Sequence, residues 1–280
     1  MTPLSAVFRN LHQDNLLVLA NVSDAGTARI VESVGSKAVA TSSAAVAWAH
    51  GYQDGNQLPL KLLTTTVESM VRVLTVPLTV DVEGGYSDDL ESVAKVIDCV
   101  VRAGAVGINI EDGAGGTDLI LRKIEVAKKV ASKHGIDLFV NVRTDVYLRC
   151  LVEPARQLAE TLFRASLFEQ AGADGIFAAG MVEQNDIATL CEATRLPVNL
   201  LSWNGLPGLD ELASLGVKRL SAGSSIAEFL CGANKAVAKS FLRTGKLFEY
   251  PLDAYTYSDL NSLMAAKNSS AKSNRHPINL

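Results

Sequence analysis

Eight short apolar segments of the sequence alternate with stretches of helical periodicity along most of its 280 residues. The apolar segments lie at 16–22, 38–42, 78–83, 107–111, 138–143, 175–179, 198–201 and 219–222. This alternation is typical of βαβ units around a parallel sheet, and eight such units match the size of a (β/α)8 TIM barrel. An open doubly wound sheet is the alternative, but the loop at 21–26 lacks the glycine-rich phosphate motif expected there. We therefore predict an α/β protein built on a TIM barrel.

The helical pattern continues beyond the eighth apolar segment, at 225–244 and again at 257–266. We predict a catalytic barrel domain at 1–245 and a C-terminal helical extension at 246–266. Because this extension exceeds what closure of a barrel requires, we expect it to pack on a neighbouring subunit. The last segment, 267–280, is polar and is predicted to be disordered.

Two neighbouring apolar segments end in acidic residues. The segment 78–86 reads LTVDVEGGY, so Asp81 and Glu83 project to the same side of an extended strand. The next apolar segment ends in Glu111 and Asp112. Like charges on one face resist burial unless a cation lies between them or the strand end is solvated. A solvated end explains a single acid, whereas two such ends in succession favour a site for a hard cation, usually Mg²⁺.

The carboxyl ends of the strands form the active site in TIM barrels. Besides the acids just described, the polar residues at those ends are Asp24, Ser42, Ser43, Arg143, Asp145, Asn199, Ser221, Ser224 and Ser225. Carboxylates together with one arginine suit a 2-oxo acid, whose oxygens chelate a cation while the guanidinium binds its carboxylate.

Several of these residues also have purely structural interpretations. Asp24 is well placed to cap the helix that begins near Thr27. Asp112 is expected to bond locally, because adjacent strand residues face opposite sides. Arg143 and Asp145 can pair with each other at the end of their strand. None of the four histidines has the spacing of a zinc site or a catalytic triad.

Charge and cysteine usage exclude other classes of protein. The net charge is −4 and the sequence has no basic run, so neither a nucleic-acid nor a membrane-surface partner is expected. The four cysteines are far apart and form no C-x-x-C pair, which indicates reduced thiols. The first ten residues lack the layout of a secretory signal. Together these features predict a cytoplasmic protein with a small-molecule substrate.

The segment DVEGGY at 81–86 is similar to the D-x-D/E-x-G-F/Y-G motif of the isocitrate lyase/phosphoenolpyruvate mutase superfamily. The other segments that carry the resemblance are GINIED at 107–112, NVRTD at 141–145 and, more weakly, 38–43, 51–54 and 197–199. The resemblance extends from about residue 18 to residue 263. It implies a TIM barrel that assembles as a homo-oligomer, commonly a homotetramer, in which a C-terminal helix packs on or swaps with a neighbour.

The resemblance also implies a metal site. Mg²⁺, with Mn²⁺ as a substitute, would be bound directly or through water at the positions matching Asp54, Asp81, Glu83 and Glu111. We expect Asp81 to be the direct ligand and the other three acids to hold coordinated water.

The substrate site is implied in the same way. The substrate carboxylate would be held by Ser42 with the backbone of Ser43 and Ala44, and by Arg143 as the substrate-binding arginine. Asn199 would contribute to substrate binding. We assign catalytic roles to Arg143, Ser42 and Tyr86, the last as a possible proton donor.

The sequence departs from the superfamily in the parts that transfer protons. The lyases carry K-K/R-C-G-H in the loop after the fourth strand, with a catalytic cysteine, but this chain has DGAGGTD at 112–118. The lysine- and asparagine-containing lid of the mutase is absent there too. The lyases bring a glutamate and the mutase a histidine after the sixth strand, where this chain has AAG at 178–180. The metal and carboxylate half of the site is thus retained without the proton-transfer half.

A reaction that needs little acid–base help remains. We predict a Mg²⁺-dependent carbon–carbon lyase that cleaves or decarboxylates an oxaloacetate-like 2-oxo acid through a pyruvate-like enolate. Two alternatives stay open: an enzyme that breaks the P–C bond of phosphonopyruvate, and a non-catalytic barrel that binds 2-oxo acids. The glycine-rich loop at 113–117 is either a mobile lid or a short connection.

Overall fold

Nine parallel strand segments form one sheet in the computed structural model, which describes residues 2–13, 15–246 and 254–265. The strands are β1 (Leu17–Leu19), β2 (Asn21–Val22), β3 (Val39–Thr41), β4 (Leu78–Asp81), β5 (Gly107–Glu111), β6 (Phe139–Thr144), β7 (Gly175–Ala178), β8 (Val198–Leu201) and β9 (Arg219–Ser221). The helices are α1 (Leu4–Asn10), α2 (Ala25–Ser33), α3 (Ser43–Ala49), α4 (Leu60–Val73), α5 (Leu90–Ala103), α6 (Thr117–Lys133), α7 (Pro154–Gln170), α8 (Gln184–Ala193), α9 (Leu209–Ser214), α10 (Ser225–Thr244) and α11 (Tyr257–Met264).

The first predicted strand is divided into β1 and β2, and this division closes the barrel. The two segments are separated only by Ala20. β1 pairs with β9, whereas β2 pairs with β3, so the two ends of the sheet meet within one stretch of chain. The predicted (β/α)8 barrel is therefore confirmed, with eight strand positions made of nine segments.

Apolar side chains on both faces of the strands explain why the sheet is buried between helices and barrel interior. Ile108 and Ile110 of β5 are fully buried, as are Ile97 of α5 and Ile124 of α6, and all four belong to one hydrophobic core. Buried parallel strands read as nearly continuous apolar runs because helices cover the outer face. This packing leaves only the ends of the barrel for polar chemistry.

Helix α1 closes the amino-terminal end of the barrel. Phe8 is fully buried and stacks edge-on against Phe139 and His12. A Cβ atom added at Gly107 would lie 2.7 Å from the Phe8 ring, so glycine is required for this close approach. The opposite end of the barrel stays open, and every carboxyl end of a strand faces it.

The C-terminal prediction is covered only in part. Helix α11 contacts α2, where the Arg29 guanidinium donates to the Leu263 carbonyl at 3.1 Å. Of the predicted extension at 246–266, residues 247–253 and 266 lie outside the described residues, and so does the predicted tail at 267–280. Along the described part of the chain, no helix is both long and apolar enough to cross a bilayer.

Candidate active site

A cavity of about 330 Å³ opens at the carboxyl ends of the strands. The predicted site residues that line it are Ser42, Ser43, Ala44, Asp54, Asp81 and Arg143. Such a volume is at the low end of the range for small-molecule pockets. Residues from three different strand ends and from the loop before α4 thus meet at one place, as parallel strands in a barrel require.

Asp81 is held at the end of β4 by backbone groups. Its carboxylate accepts hydrogen bonds from the N–H groups of Glu83, at 3.1 Å, and Ser43, at 3.4 Å. Its own N–H donates to the Thr41 hydroxyl at 2.8 Å, which ties the end of β4 to β3. Burial raises the pKa of Asp81, and the nearby positive charge of Arg143 opposes this shift. A cation bound at Asp81 would remove the cost of burying its charge.

Glu83 follows a turn in the backbone and carries an unpartnered oxygen. Its φ of 50° is in the left-handed region, and its Oε2 accepts a hydrogen bond from the Asn56 N–H. Its Oε1 is buried and finds no hydrogen-bond partner among the described residues. Burial raises the pKa of Glu83, with further contributions from the charges of Asp54 and Asp81. A buried carboxylate oxygen without a partner is costly, so this residue fits a cation or its bound water.

Arg143 joins two carboxylates at the end of β6. Its Nη1 is 2.9 Å from Glu111, and its Nε donates to Asp145 at 2.7 Å. The local pairing considered for R-x-D does form, while Arg143 still lines the cavity. Burial raises the pKa of Glu111 to about 7, against the opposing effect of Arg143. Arg149 contacts the second oxygen of Asp145 at 2.7 Å, so this buried acid is fully paired.

Ser42 and the two residues after it begin α3 at the cavity wall. The Ser42 hydroxyl oxygen caps this helix by accepting a hydrogen bond from the Ala45 N–H at 3.4 Å. Ser42 is buried, and Ser43 and Ala44 line the cavity beside it. Their role in binding a carboxylate stays a prediction.

Four predicted site residues do not line this cavity: Asn199, Tyr86, Glu83 and Glu111. Glu83 and Glu111 line a neighbouring cavity together with Tyr86. Asn199 is buried and its Oδ1 accepts a hydrogen bond at 3.1 Å from Ser221, which does line the cavity, so Asn199 acts at most through Ser221. Tyr86, with a φ of 59°, lines that neighbouring cavity, of about 460 Å³, beside the glycine-rich loop at 113–116. Burial and the charge of Glu83 raise the pKa of Tyr86, so its hydroxyl keeps its proton.

Of the structural interpretations, the Asp24 cap and the Arg143–Asp145 pair are confirmed, and the one for Asp112 is wrong. Asp24 caps α2, and its carboxylate accepts the Thr27 N–H at 2.9 Å. Asp112 does not bond locally through its side chain. It pairs with Arg164 of α7 at 2.7 Å and accepts the Asp145 N–H at 3.0 Å. The error arose because Arg164 lies 52 positions further along the chain, and sequence spacing does not reveal such a contact.

The sequence analysis missed several residues that line the cavity: Asn21, Asn109, Leu148, Phe177, Leu201 and Trp203. Asn109 precedes Glu111 by two positions in β5, so strand alternation would have placed both on one face. The apolar members carry no chemical signal of their own, because buried leucine and phenylalanine occur throughout the core.

The acids fit a metal that is held largely through water. Among the residues that the structure describes, no three Asp, Glu, His or Cys side chains converge closely enough to ligate one ion directly. Mg²⁺ keeps several of its waters and needs only one or two protein carboxylates. Asp81 and Asp54 line the cavity, whereas Glu83 and Glu111 line the neighbouring one, an arrangement compatible with contacts made through bound water.

A closed parallel barrel with a polar cavity at the carboxyl ends of its strands is the architecture of the TIM-barrel enzymes. The chain belongs to the phosphoenolpyruvate phosphomutase family, whose model matches residues 8–242. It is therefore an enzyme of the isocitrate lyase/phosphoenolpyruvate mutase superfamily, as its motifs indicated.

Three relatives illustrate the range of this superfamily. A solved structure from Burkholderia cenocepacia J2315, described as a phosphonomutase, is 40% identical with a TM-score of 0.79, covering 84% of this chain and 98% of that one. Oxaloacetate decarboxylase of Paraburkholderia xenovorans is 30% identical over 85% of this chain and 81% of its own length. The 2-methylisocitrate lyase of Escherichia coli is 25% identical over 77% and 76%. The chain is thus similar to enzymes with different reactions.

Proposed function

We propose that the protein is a Mg²⁺-dependent carbon–carbon lyase that decarboxylates oxaloacetate or a closely related 2-oxo diacid. One observation carries this proposal. The cavity is lined by acids and one arginine, but among the described residues that line it there is no histidine, lysine, cysteine or tyrosine. Such a cavity suits a reaction in which the protein binds a keto acid and polarises its keto group but does not remove a proton from it. The similarity to oxaloacetate decarboxylase of Paraburkholderia xenovorans supports the same reaction.

The acids at the strand ends would hold the ion. Asp81 would be its direct ligand, and Glu83, Glu111 and Asp54 would accept hydrogen bonds from its water. When bound, the ion supplies positive charge where negative charge develops on the keto oxygen. Mn²⁺ would substitute, because it also prefers oxygen ligands.

Arg143 and the start of α3 would orient the substrate. Two of the guanidinium nitrogens of Arg143 bind Glu111 and Asp145, which fixes the plane of the group. Its Nη2 takes part in neither contact and would bind the carboxylate next to the keto group. Ser42 and the adjoining backbone of Ser43 and Ala44 would bind the same carboxylate. Fixed geometry of this kind lowers the entropic part of the barrier.

The bond that breaks joins C3 of oxaloacetate to its distal carboxylate. The electron pair of that bond passes into the enolate as CO₂ leaves, and C3 then takes a proton from solvent. No side chain has to remove a proton, which agrees with the residues that line the cavity. Tyr86 keeps its proton and lines the neighbouring cavity, so it would be the alternative donor of the proton that C3 takes.

Cleavage of the P–C bond of phosphonopyruvate is the second candidate. The 40% identity to a protein described as a phosphonomutase favours it. Against it, Arg143 is the one cationic side chain among the described residues that line the cavity. A phosphonate carries more negative charge than a carboxylate, and one arginine would neutralise a smaller part of that charge.

The test is a substrate panel for pyruvate release. Oxaloacetate, phosphonopyruvate, 2-methylisocitrate and 2,3-dimethylmalate are assayed with Mg²⁺ and with EDTA. We expect Mg²⁺-dependent pyruvate from oxaloacetate. Arg143→Gln should raise KM strongly, while Arg195→Gln, which changes a surface arginine whose side chain is 91% exposed, should not. Pyruvate from phosphonopyruvate alone would favour the second candidate, and ligand binding without any turnover would favour a non-catalytic barrel.

We also propose that the protein is a homo-oligomer, either a dimer or a tetramer. None of the 20 residues of α10 is buried. Its apolar side chains include Phe229 and Leu242, which are 65% and 84% exposed. Exposed apolar surface of this kind is typical of interfaces, and a second copy of the chain would cover it. Light scattering on the purified protein should give a multiple of 29.7 kDa, and a monomer would refute the assembly.

A further inference from the structure

The lining of the active-site cavity has polar parts and one mainly apolar part. From β3 to β6 the wall of the cavity is polar and carries Asp81 and Arg143. The residues after β9 and at the start of α10 are mostly polar and include Ser224 and Glu228. From the loop after β6 through β7 to the loop after β8, the lining residues are Leu148, Phe177, Leu201, Ser202 and, at the rim, Trp203, so four of the five are apolar. These four residues, which we call the apolar wall, form one continuous arc, because β6, β7 and β8 are neighbours in the barrel.

Close backbone contacts fix the apolar wall in place. Gly180 has a φ of 85°, and a Cβ atom added there would lie 2.8 Å from the Leu148 nitrogen. The loop after β6 therefore fills the space after β7 in which a catalytic side chain would otherwise project. A Cβ atom added at Gly223 would lie 2.7 Å from a methyl carbon of Leu201, so that side chain is also held closely. Close packing against two glycines thus holds Leu148 and Leu201 of the apolar wall in position.

Trp203, at the rim of the apolar wall, is partly exposed to solvent. The residue is 54% exposed although it borders a cavity lined by Leu201 and Phe177. An indole exposed beside a concave apolar surface gains by contact with an apolar ligand, because such contact removes both surfaces from water.

We propose that the substrate carries an alkyl or aryl group on the carbon next to its keto group, and that the apolar wall binds this group. The inference rests on the proposed function, since it places the keto and carboxylate oxygens at Asp81 and Arg143. With those oxygens facing the polar wall, the third carbon of the acid points toward the opposite arc. The preferred substrate class is then a 3-substituted oxaloacetate, and its decarboxylation gives a longer 2-oxo acid than pyruvate.

Binding of product-like acids tests this directly. The dissociation constants of pyruvate, 2-oxobutanoate and 2-oxopentanoate are measured by calorimetry on the full chain at saturating Mg²⁺. Each acid in the series adds one methylene to the third carbon. We expect about fourfold tighter binding for each added methylene. In Leu201→Ala and Trp203→Ser the gain per methylene should fall to less than about twofold.

Phe163→Ser is the matched control, because Phe163 lies on the outer face of α7 and is also 54% exposed. It should leave the gain per methylene unchanged. Affinity that is flat or weaker with length, a gain that survives both wall variants, or no binding of any acid would overturn the proposal. Decarboxylation of oxaloacetate with a flat binding series would refute the apolar wall alone. A rising series without decarboxylation would refute only the proposed reaction.

Discussion

His12 should make the stability of the barrel depend on pH. It is buried at the amino-terminal end of the barrel, stacked on Phe139, and its Nδ1 contacts the Phe8 carbonyl at 2.8 Å. Its Nε2 has no partner among the described residues. Burial, followed by the positive charge of Arg219, lowers the pKa of His12 from 6.5 to about 3. The folded protein therefore holds this imidazole in its neutral form.

The size of the effect follows from the two pKa values. Below pH 6.5 the unfolded chain binds a proton at His12 that the folded chain does not bind until about pH 3. Stability is thus fully present above pH 6.5 and is lost as the pH falls through this window. At about 1.4 kcal/mol per pH unit, lowering the pH to 5 should cost roughly 2 kcal/mol.

Urea unfolding of the wild type and of His12→Asn, each at about pH 7 and pH 5, measures this loss. Asparagine cannot be protonated, so the variant should lose about 2 kcal/mol less than the wild type over the same interval. All other titrating groups are common to both proteins, and their contributions cancel in the comparison. Equal pH dependence in the two proteins would show that His12 is not held neutral in the fold.

Three further predictions concern the site and its supports. Asp81→Asn should weaken Mg²⁺ binding by more than about 100-fold in calorimetry while the protein stays folded, and unchanged affinity would exclude Asp81 as a ligand. Arg164→Met leaves the buried carboxylate with which it pairs uncompensated and should cost about 3–5 kcal/mol in urea unfolding; a loss below about 1 kcal/mol would contradict this. Gly180→Ala should destabilise by roughly 1–3 kcal/mol more than Gly35→Ala, which has a φ of 98° but open space around it, since only the former meets the backbone of Leu148. Equal losses in urea unfolding would argue against that close packing.

The fold could be predicted from the sequence because each strand is short, apolar and followed by a helical pattern. Because all strands of a parallel barrel end on the same face, polar residues at the strand ends were expected to lie close together. Asp81 and Arg143 do line one cavity. The expectation for Glu83 shows the limit of strand periodicity. β4 ends at Asp81, and the left-handed backbone of Glu83 turns its carboxylate toward Asn56.

Other parts of the site depend on contacts between distant segments, which spacing does not reveal. Asn199 was expected to bind substrate, but its side chain bonds to Ser221 instead of lining the cavity. The apolar wall was missed because it depends on Leu148 packing against Gly180, 32 positions later in the chain. In the sequence, Leu148 looks like any buried leucine and Gly180 like any turn glycine, so neither residue indicates this contact.

The most direct test of a metal-dependent keto-acid site is the binding of oxalate, a stable mimic of the pyruvate enolate. Calorimetry is performed on the wild type with Mg²⁺, on the wild type with EDTA, and on Asp81→Asn with Mg²⁺. We expect binding only in the first case. Oxalate that binds with equal affinity in EDTA or in Asp81→Asn would contradict this expectation, because the ion would then have no part in holding the ligand.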